Sequence, residues 1–316
     1  MRTKPALITV LAAVLSLIGP MPATASRADQ ERKPENGDIA FGRLDPAIDG
    51  FSLWTADSDG SHQRRLTQDQ ANFSDWAPDG DRIAFDFIDD AGVHIATIEP
   101  DGRNRKALTT APGVQECPKW SPDGKSIVYD AFPFGQPTFS VSIWIMLADG
   151  SSPKQLTRNA LDVEPVFSPD GTRIAFGRIT GDSPEGQLEA IYVINSDGTG
   201  LHQVVSPRPG LEHPDWSPDG RSITFNIEPE NTKAPDYGSI LSVHPDGNRL
   251  RVIQPRTPDL KFFKAVWSPD GRKLLSGCVD TEARIDRICI VSPGGRITAV
   301  VSGPPGVNFP SWGSDD

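Results

Sequence analysis

Glu116 and Glu164 are the two carboxylates whose placement could supply a general acid and a general base, and His213 is the histidine that falls in the same pattern. Such a pair would suit cleavage of a sugar polymer, and a His/carboxylate cluster could hold a metal. The five histidines, at 62, 94, 202, 213 and 244, are scattered, with no ligand spacing among them. No Gly-x-Ser-x-Gly elbow, His-Glu-x-x-His pair or phosphate-binding loop occurs. Asp57-Ser58-Asp59-Gly60 begins like a calcium loop but lacks the further oxygens and the closing glutamate, so it reads as a turn. These residues therefore lead to an expectation of no catalytic residue, no metal and no cofactor. A polysaccharide lyase or hydrolase using Glu116 and Glu164 is the alternative.

What must position these side chains is a repeat. Trp76-Ala77-Pro78-Asp79-Gly80 recurs as Trp120-Ser121-Pro122-Asp123-Gly124, Phe167-Ser168-Pro169-Asp170-Gly171, Trp216-Ser217-Pro218-Asp219-Gly220 and Trp267-Ser268-Pro269-Asp270-Gly271. A truncated copy, Trp312-Gly313-Ser314-Asp315, closes the chain, and the spacings are 44, 47, 49, 51 and 45 residues. Periods of about 40–50 residues are those of propeller blades. Proline and Asp-Gly suit a tight turn. An apolar strand follows each turn, such as Ile83-Ala84-Phe85 or Ile174-Ala175-Phe176. A third run (Val93 to Ile98, Ile191 to Ile194) ends in a second turn, such as Asp101-Gly102. A fourth begins as in Arg65-Leu66-Thr67, Ala107-Leu108-Thr109 and Gln155-Leu156-Thr157. Four antiparallel strands make a blade. The segment 38–43 looks like a second strand without its first, and 308–312 like a first strand without a second. Pairing them would close a ring and remove exposed edges. The fold expected is all-β: a six-bladed propeller of four-stranded blades, closed by its two ends. The aromatic of each motif is expected to fill the wedge between neighbouring blades.

The first 25 residues differ in kind. Arg2 and Lys4 precede an apolar run from Ala6 to Ile18, and Ala23-Thr24-Ala25 offers a cleavage site before Ser26. This is the pattern of a secretory signal, and the run is short of the roughly 20 apolar residues a membrane span needs. The chain divides into a leader (1–25), a short linker (26–37) and a propeller (38–316), destined for the periplasm or the exterior, without membrane insertion. The net charge of −11 becomes −13 once the leader's two cations are removed, which argues against nucleic acid. Of three cysteines, Cys278 and Cys289 fall on two arms of one hairpin and either bridge or pack as small buried groups; Cys117 is left over.

The Trp-Ser-Pro-Asp-Gly repeats and the Ile-Ala-Phe strands behind them resemble the propeller of the TolB family over nearly all of residues 38–316. The resemblance implies an envelope protein that binds proteins: family members contact a peptidoglycan-associated lipoprotein and its Tol partners, and bacteriocins exploit the channel mouth. Family members also carry an α/β domain before the propeller, and about a dozen residues after the leader leave no room for one here. The same blade occurs in peptidase propellers and sugar-degrading lyases, so fold alone does not decide function.

The short turns after each Trp motif and after each third strand share one face. The opposite face carries the varied connections, 131–140, 180–189 and 228–237, and varied loops are where recognition is expected. On that face the residues three or four before each motif aromatic should stand at the channel mouth: Asn72, Glu116, Glu164, His213, Lys264 and Asn308. Around them come Phe132, Phe134, Phe139, Tyr237, Phe262 and Phe263 with Asp182, Glu185, Glu228 and Asp236. Such an aromatic and acidic rim suits a protein or peptide partner with basic character, bound by a monomeric chain.

Overall fold

The computed structural model describes residues 35–315 except 136–139, 159, 184–185, 228–235, 281–284, 293 and 303–305. The expected leader and most of the linker lie outside the described residues, as do Phe139, Glu185 and Glu228.

The motif turn is a small hydrogen-bonded device. In the second copy the Ser121 hydroxyl donates to Asp123 Oδ1 (2.7 Å) and accepts from the N–H of Ser126 (2.9 Å), while Asp123 Oδ1 also takes the N–H of Lys125 (3.1 Å). Ser168/Asp170, Ser217/Asp219 and Ser268/Asp270 repeat the arrangement. These bonds pull the Asp170 carboxyl down to about 2, with the Ser168 hydroxyl the main cause. Glycine closes each turn at positive φ, 67–70° in the five full copies. This explains the motif locally: each polar residue satisfies a backbone group that the turn would leave bare.

Strands then pair antiparallel in chain order. Val307–Asp315, Glu35–Asp45, Gly50–Ala56 and Arg64–Arg65 form one four-stranded sheet, so the two ends of the chain meet in it. There Ile39 faces Trp312 and Ala40 faces Ser311. Three more four-stranded sheets run from Leu161–Phe167 to His202–Pro209, from Leu211–Trp216 to Arg251–Gln254, and from Leu260–Trp267 to Arg296–Ser302.

The expectation of six separate blades is corrected by the sheet topology. Among the described residues four sheets have four strands, and the strands between Ala71 and Gln155 form one sheet of eight. The junction is a short parallel pairing of Gly92 with Gly113 and Val93 with Val114. Both glycines stand at φ near +140° (140° and 145°), and a Cβ on Gly92 would collide with the Gly113 carbonyl. Bare backbone at these two positions lets the strands approach and join.

Two other expectations change. The fourth strands shrink to two residues at Arg64–Arg65, Lys106–Ala107 and Lys154–Gln155. Beyond them Thr67, Thr109 and Thr157 accept, through their hydroxyls, the N–H groups of Leu53, Ile95 and Ile143 (2.8–3.0 Å). The Leu-Thr signature thus adds a side-chain bond to one backbone bond, since the N–H groups of Leu66, Leu108 and Leu156 donate to the carbonyls of the same three residues (2.8 Å). The connection 180–189 is largely strand, because Arg173–Ser183 and Gly186–Asn195 stay paired out to Ser183 opposite Gly186.

Apolar clusters lie between consecutive repeats. Trp76 packs with Ala40 and Leu53 of the preceding unit, Phe167 with Val128 and Ile143, and Trp216 with Ala175 and Val193. The ring closes through Ile39 and Phe41 against Val266 and Leu275. Trp216 is 4% exposed, and its indole N–H has no partner. Phe167 fills the same place in the third copy. Trp216→Phe is therefore expected to cost less than about 1.5 kcal/mol, and Trp216→Ala about 3–5 kcal/mol, in urea unfolding at unchanged m. Equal losses would show that the indole edge, not the wedge volume, matters.

Cys278 and Cys289 form a disulfide between neighbouring strands, and Cys117 is free and buried. They sit diagonally, Cys278 opposite Arg287 and Cys289 opposite Ser276.

Candidate functional site

Every first strand carries a bulge just before its motif aromatic, seen as register shifts at Ala71/Ser74, Glu116/Lys119, Val163/Val166, Glu212/Asp215 and Phe263/Val266. A bulge bends the strand and re-aims one side chain. That side chain belongs to the third residue before the aromatic: Phe73, Cys117, Glu164, His213, Lys264 and Phe309. Five of these hold the left-handed backbone that normally favours glycine: Cys117 (φ 52°), Glu164 (56°), His213 (55°), Lys264 (43°) and Phe309 (47°).

The bulge settles where the sequence-predicted residues stand. Glu164, His213 and Lys264 line one cavity in the bore, together with Phe73 and Cys117. Asn72, Glu116 and Asn308 are one residue earlier and do not line it. The Asn72 N–H donates to Asp86 Oδ1 (2.8 Å), Glu116 faces Asp130 across the ladder, and Asn308 faces Gly42. Counting uniformly three residues back from the aromatic would have found Phe73, Cys117 and Phe309.

These groups hold one another. Glu164 Oε1 pairs with His213 Nδ1 (2.6 Å), and its Oε2 accepts the His213 backbone N–H (2.7 Å). Lys264 Nζ lies 4.5 Å from the Phe73 ring centre and 5.0 Å from that of Phe309, a cation–π clamp. The two rings are 4.3 Å apart, and His213 is 6.0 Å from Phe309. The cavity left is about 30 Å³, room for roughly two water molecules. The bore is closed at this level.

Burial pushes the Glu164 carboxyl up, but His213 and its two hydrogen bonds carry it below the ordinary value. Burial lowers the Lys264 amine to about 8, and Lys119 adds to that. Glu116 is raised by burial and by the charge on Glu164.

Two carboxylates that sequence reasoning missed stand behind this ring. Asp86 and Asp130, each 1% exposed, come from the second strands. Asp86 Oδ1 caps the N–H groups of Asn72 and Phe73 (2.8 and 3.1 Å), and Asp130 Oδ2 caps that of Glu164 on the next repeat (2.8 Å). Burial raises Asp86 to about 7 and Asp130 well above the carboxylate range. The signal was there: each follows directly on an apolar triplet, where other copies have Gly42, Gly177, Asn226 or Gly277.

The rim groups are less gathered. Phe132 and Phe134 meet edge to face at 6.0 Å, and Phe134 is 52% exposed. Phe262 is buried, while Tyr237 packs against a core cluster with Lys261 over its ring (4.4 Å). Asp236 pairs with Arg208 (2.5 Å). Gly60 closes the Asp57–Gly60 segment as a turn, its N–H on the Asp57 carbonyl (2.8 Å). Among the described residues no group of three or more His, Cys, Asp or Glu stands ready to hold a metal, and no helix is long and apolar enough to cross a membrane.

Comparison with known proteins agrees with this architecture. A 26%-identical stretch of 182 residues, 55% of this chain and 61% of the relative, matches an uncharacterized protein of Agrobacterium fabrum. A 31%-identical stretch of 123 residues, 39% of this chain and 26% of the relative, matches the Tol-Pal system protein TolB of Anaeromyxobacter sp. (strain K). The chain thus spans less than two thirds of either relative's length. Among solved structures, TolB from Acinetobacter baumannii superposes with a TM-score of 0.71 at 22% identity, over 87% of this chain and 66% of that one. An oligogalacturonate lyase in complex with manganese superposes at 0.56 with 14% identity, over 86% of this chain and 75% of that one, a likeness of fold alone. The "TolB beta propeller domain" family model matches residues 43–315, so the chain belongs to that family.

Proposed function

We propose that the protein is exported and works as a binding module at the cell envelope, taking a protein or peptide segment of basic character at the bore mouth. The observation that carries this reading is the row of non-glycine residues at positive φ. Glycine would be the unstrained choice at each bulge. Instead five chemically distinct side chains take that backbone and aim at one opening, as befits a surface that reads an asymmetric ligand. The closed bore makes the partner lie across the mouth rather than thread through it. Glu164, His213 and Lys264 would form the floor of the site, with Asn72, Glu116 and Asn308 around it. The half-buried Glu116 supplies negative charge, and Phe132 and Phe134 supply apolar contact. The TolB relative is named for a Tol–Pal system, which supports a protein partner in kind, not in identity.

The test is a panel of extended peptides, basic against acidic, titrated into the full chain and into a Glu116→Gln variant. Basic peptides should bind the wild type, and the variant should lose about tenfold in affinity, the scale of one good polar contact. Binding indifferent to peptide charge, or equal in the variant, would overturn the reading.

A further inference from the structure

The face opposite the bore mouth, where the short turns gather, carries clefts between consecutive sheets. Two of them occupy equivalent places. One, about 570 Å³, lies against the turns at Ser121–Asp123 and Pro169–Gly171 and is lined by Asp123, Asp170 and Asp197, with no cationic side chain. The other, about 450 Å³, is one repeat further on, against Gly220 and the turn at His244–Asp246. Its ionisable lining is Arg173, His202, Arg221 and His244, with Asp246 as the single carboxylate. Turn geometry needs only the Ser-Pro-Asp-Gly residues, so nothing in the fold demands this reversal of charge. In a chain of net charge −11 it is a local exception.

The two guanidinium groups are placed for use. Arg173 is held over the Trp216 ring, 4.7 Å from its centre, which fixes the head group. Arg221 is exposed. Neither is engaged in an ion pair among the described residues. The nearby carboxylates are hydrogen-bonded within their own turns, Asp170 to Ser168 and Thr172 and Asp219 to Ser217 and the Arg221 N–H, and they feel the charges of Arg173 and Arg221 without pairing with them.

We infer that this cleft is a binding site for an oxyanion, a phosphate or carboxylate group borne on a polymer, independent of the bore mouth. Arginine presents paired N–H donors that match either group, and His244 stands on the flank. The cleft is open, which suits one anionic unit of a longer chain rather than an enclosed small molecule.

Calorimetric titration of the full chain at low ionic strength with tripolyphosphate, and separately with a uronic-acid trimer, tests the site. At least one probe should bind, and which one tells whether the natural anion is phosphate or carboxylate. Arg221→Glu should weaken that binding by about tenfold or more, with its unfolding midpoint unchanged. Asp246→Asn, which keeps an oxygen for the Asn248 N–H (2.9 Å), should tighten it a few-fold by removing the opposing charge. No heat from either probe, or equal affinities in wild type and both variants, would overturn the inference.

Discussion

Asp75→Ala is expected to destabilise the fold by about 3 kcal/mol, the lower end for breaking a buried pair, because its side chain and that of Lys119 remain 20% and 16% exposed. Asp75 does two jobs between two repeats that share the eight-stranded sheet. Its Oδ1 holds Lys119 Nζ (2.8 Å), and its Oδ2 accepts the Trp120 N–H (2.9 Å). Burial lowers the Lys119 amine, but Asp75 and Asp215 more than reverse this, leaving it above its ordinary value. Removing Asp75 leaves a charge and a backbone donor poorly matched inside the bore. Asp215 performs the second job three repeats further on, accepting the Trp267 N–H (2.8 Å), as do Glu164 for His213 and Asn226 for Ala265 (2.9 Å). Adding Lys119→Met to Asp75→Ala should recover about 1 kcal/mol or more, since the orphaned charge goes with it. Denaturant unfolding of the four species of this cycle measures both numbers. Purely additive losses would mean that the pair is not coupled.

The second large effect is on pH dependence. Asp86 has its folded pKa raised by burial to about 7, above the ordinary value of 3.8. The unfolded chain therefore releases this proton first, and charging Asp86 works against the folded state. Its contribution is fully favourable below about pH 4 and is lost as pH rises through 7. Asp215, raised by burial to about 6, acts in the same direction. Lys264, lowered to about 8, contributes the opposite way at higher pH: stability present above its unfolded value is lost as pH falls through 8. Asp86→Asn keeps an oxygen for the N–H groups of Asn72 and Phe73 and cannot ionise. It should match the wild type near pH 4 and exceed it at pH 8 by on the order of 3 kcal/mol. Stability curves of the two proteins that run parallel from pH 4 to 8 would refute this.

The turn motif, the strand that follows it and the wedge aromatic were all legible because each depends on residues close in sequence. Ser121, Asp123 and Ser126 bond to one another within five positions, so spacing alone reveals the turn. The residues of the bore were half legible. Of the six expected at the channel mouth, Glu164, His213 and Lys264 line the bore cavity, while Asn72, Glu116 and Asn308 stand one position earlier, because a bulge adds a residue that a count of alternating strand faces does not register. The merged sheet was hidden for another reason. Gly92 and Gly113 are 21 residues apart and read as ordinary turn or strand-end glycines; only the approach of two backbones gives them their role. The two basic residues of the turn-face cleft, Arg173 and Arg221, likewise look like routine solvated positions until two repeats are set side by side.

By itself the sequence determined the all-β class, the repeat, the tight turns and a family resemblance, since all of these are written in short-range hydrogen bonding and hydrophobic period. Tertiary structure decided which strands share a sheet, which side chains the bulges turn into the bore, and that Glu164, His213, Lys264 and two phenylalanines close it. Those outcomes depend on residues of different repeats, 21 positions apart at the Gly92–Gly113 junction and 49 between Glu164 and His213, and local propensity carries no term for such distances.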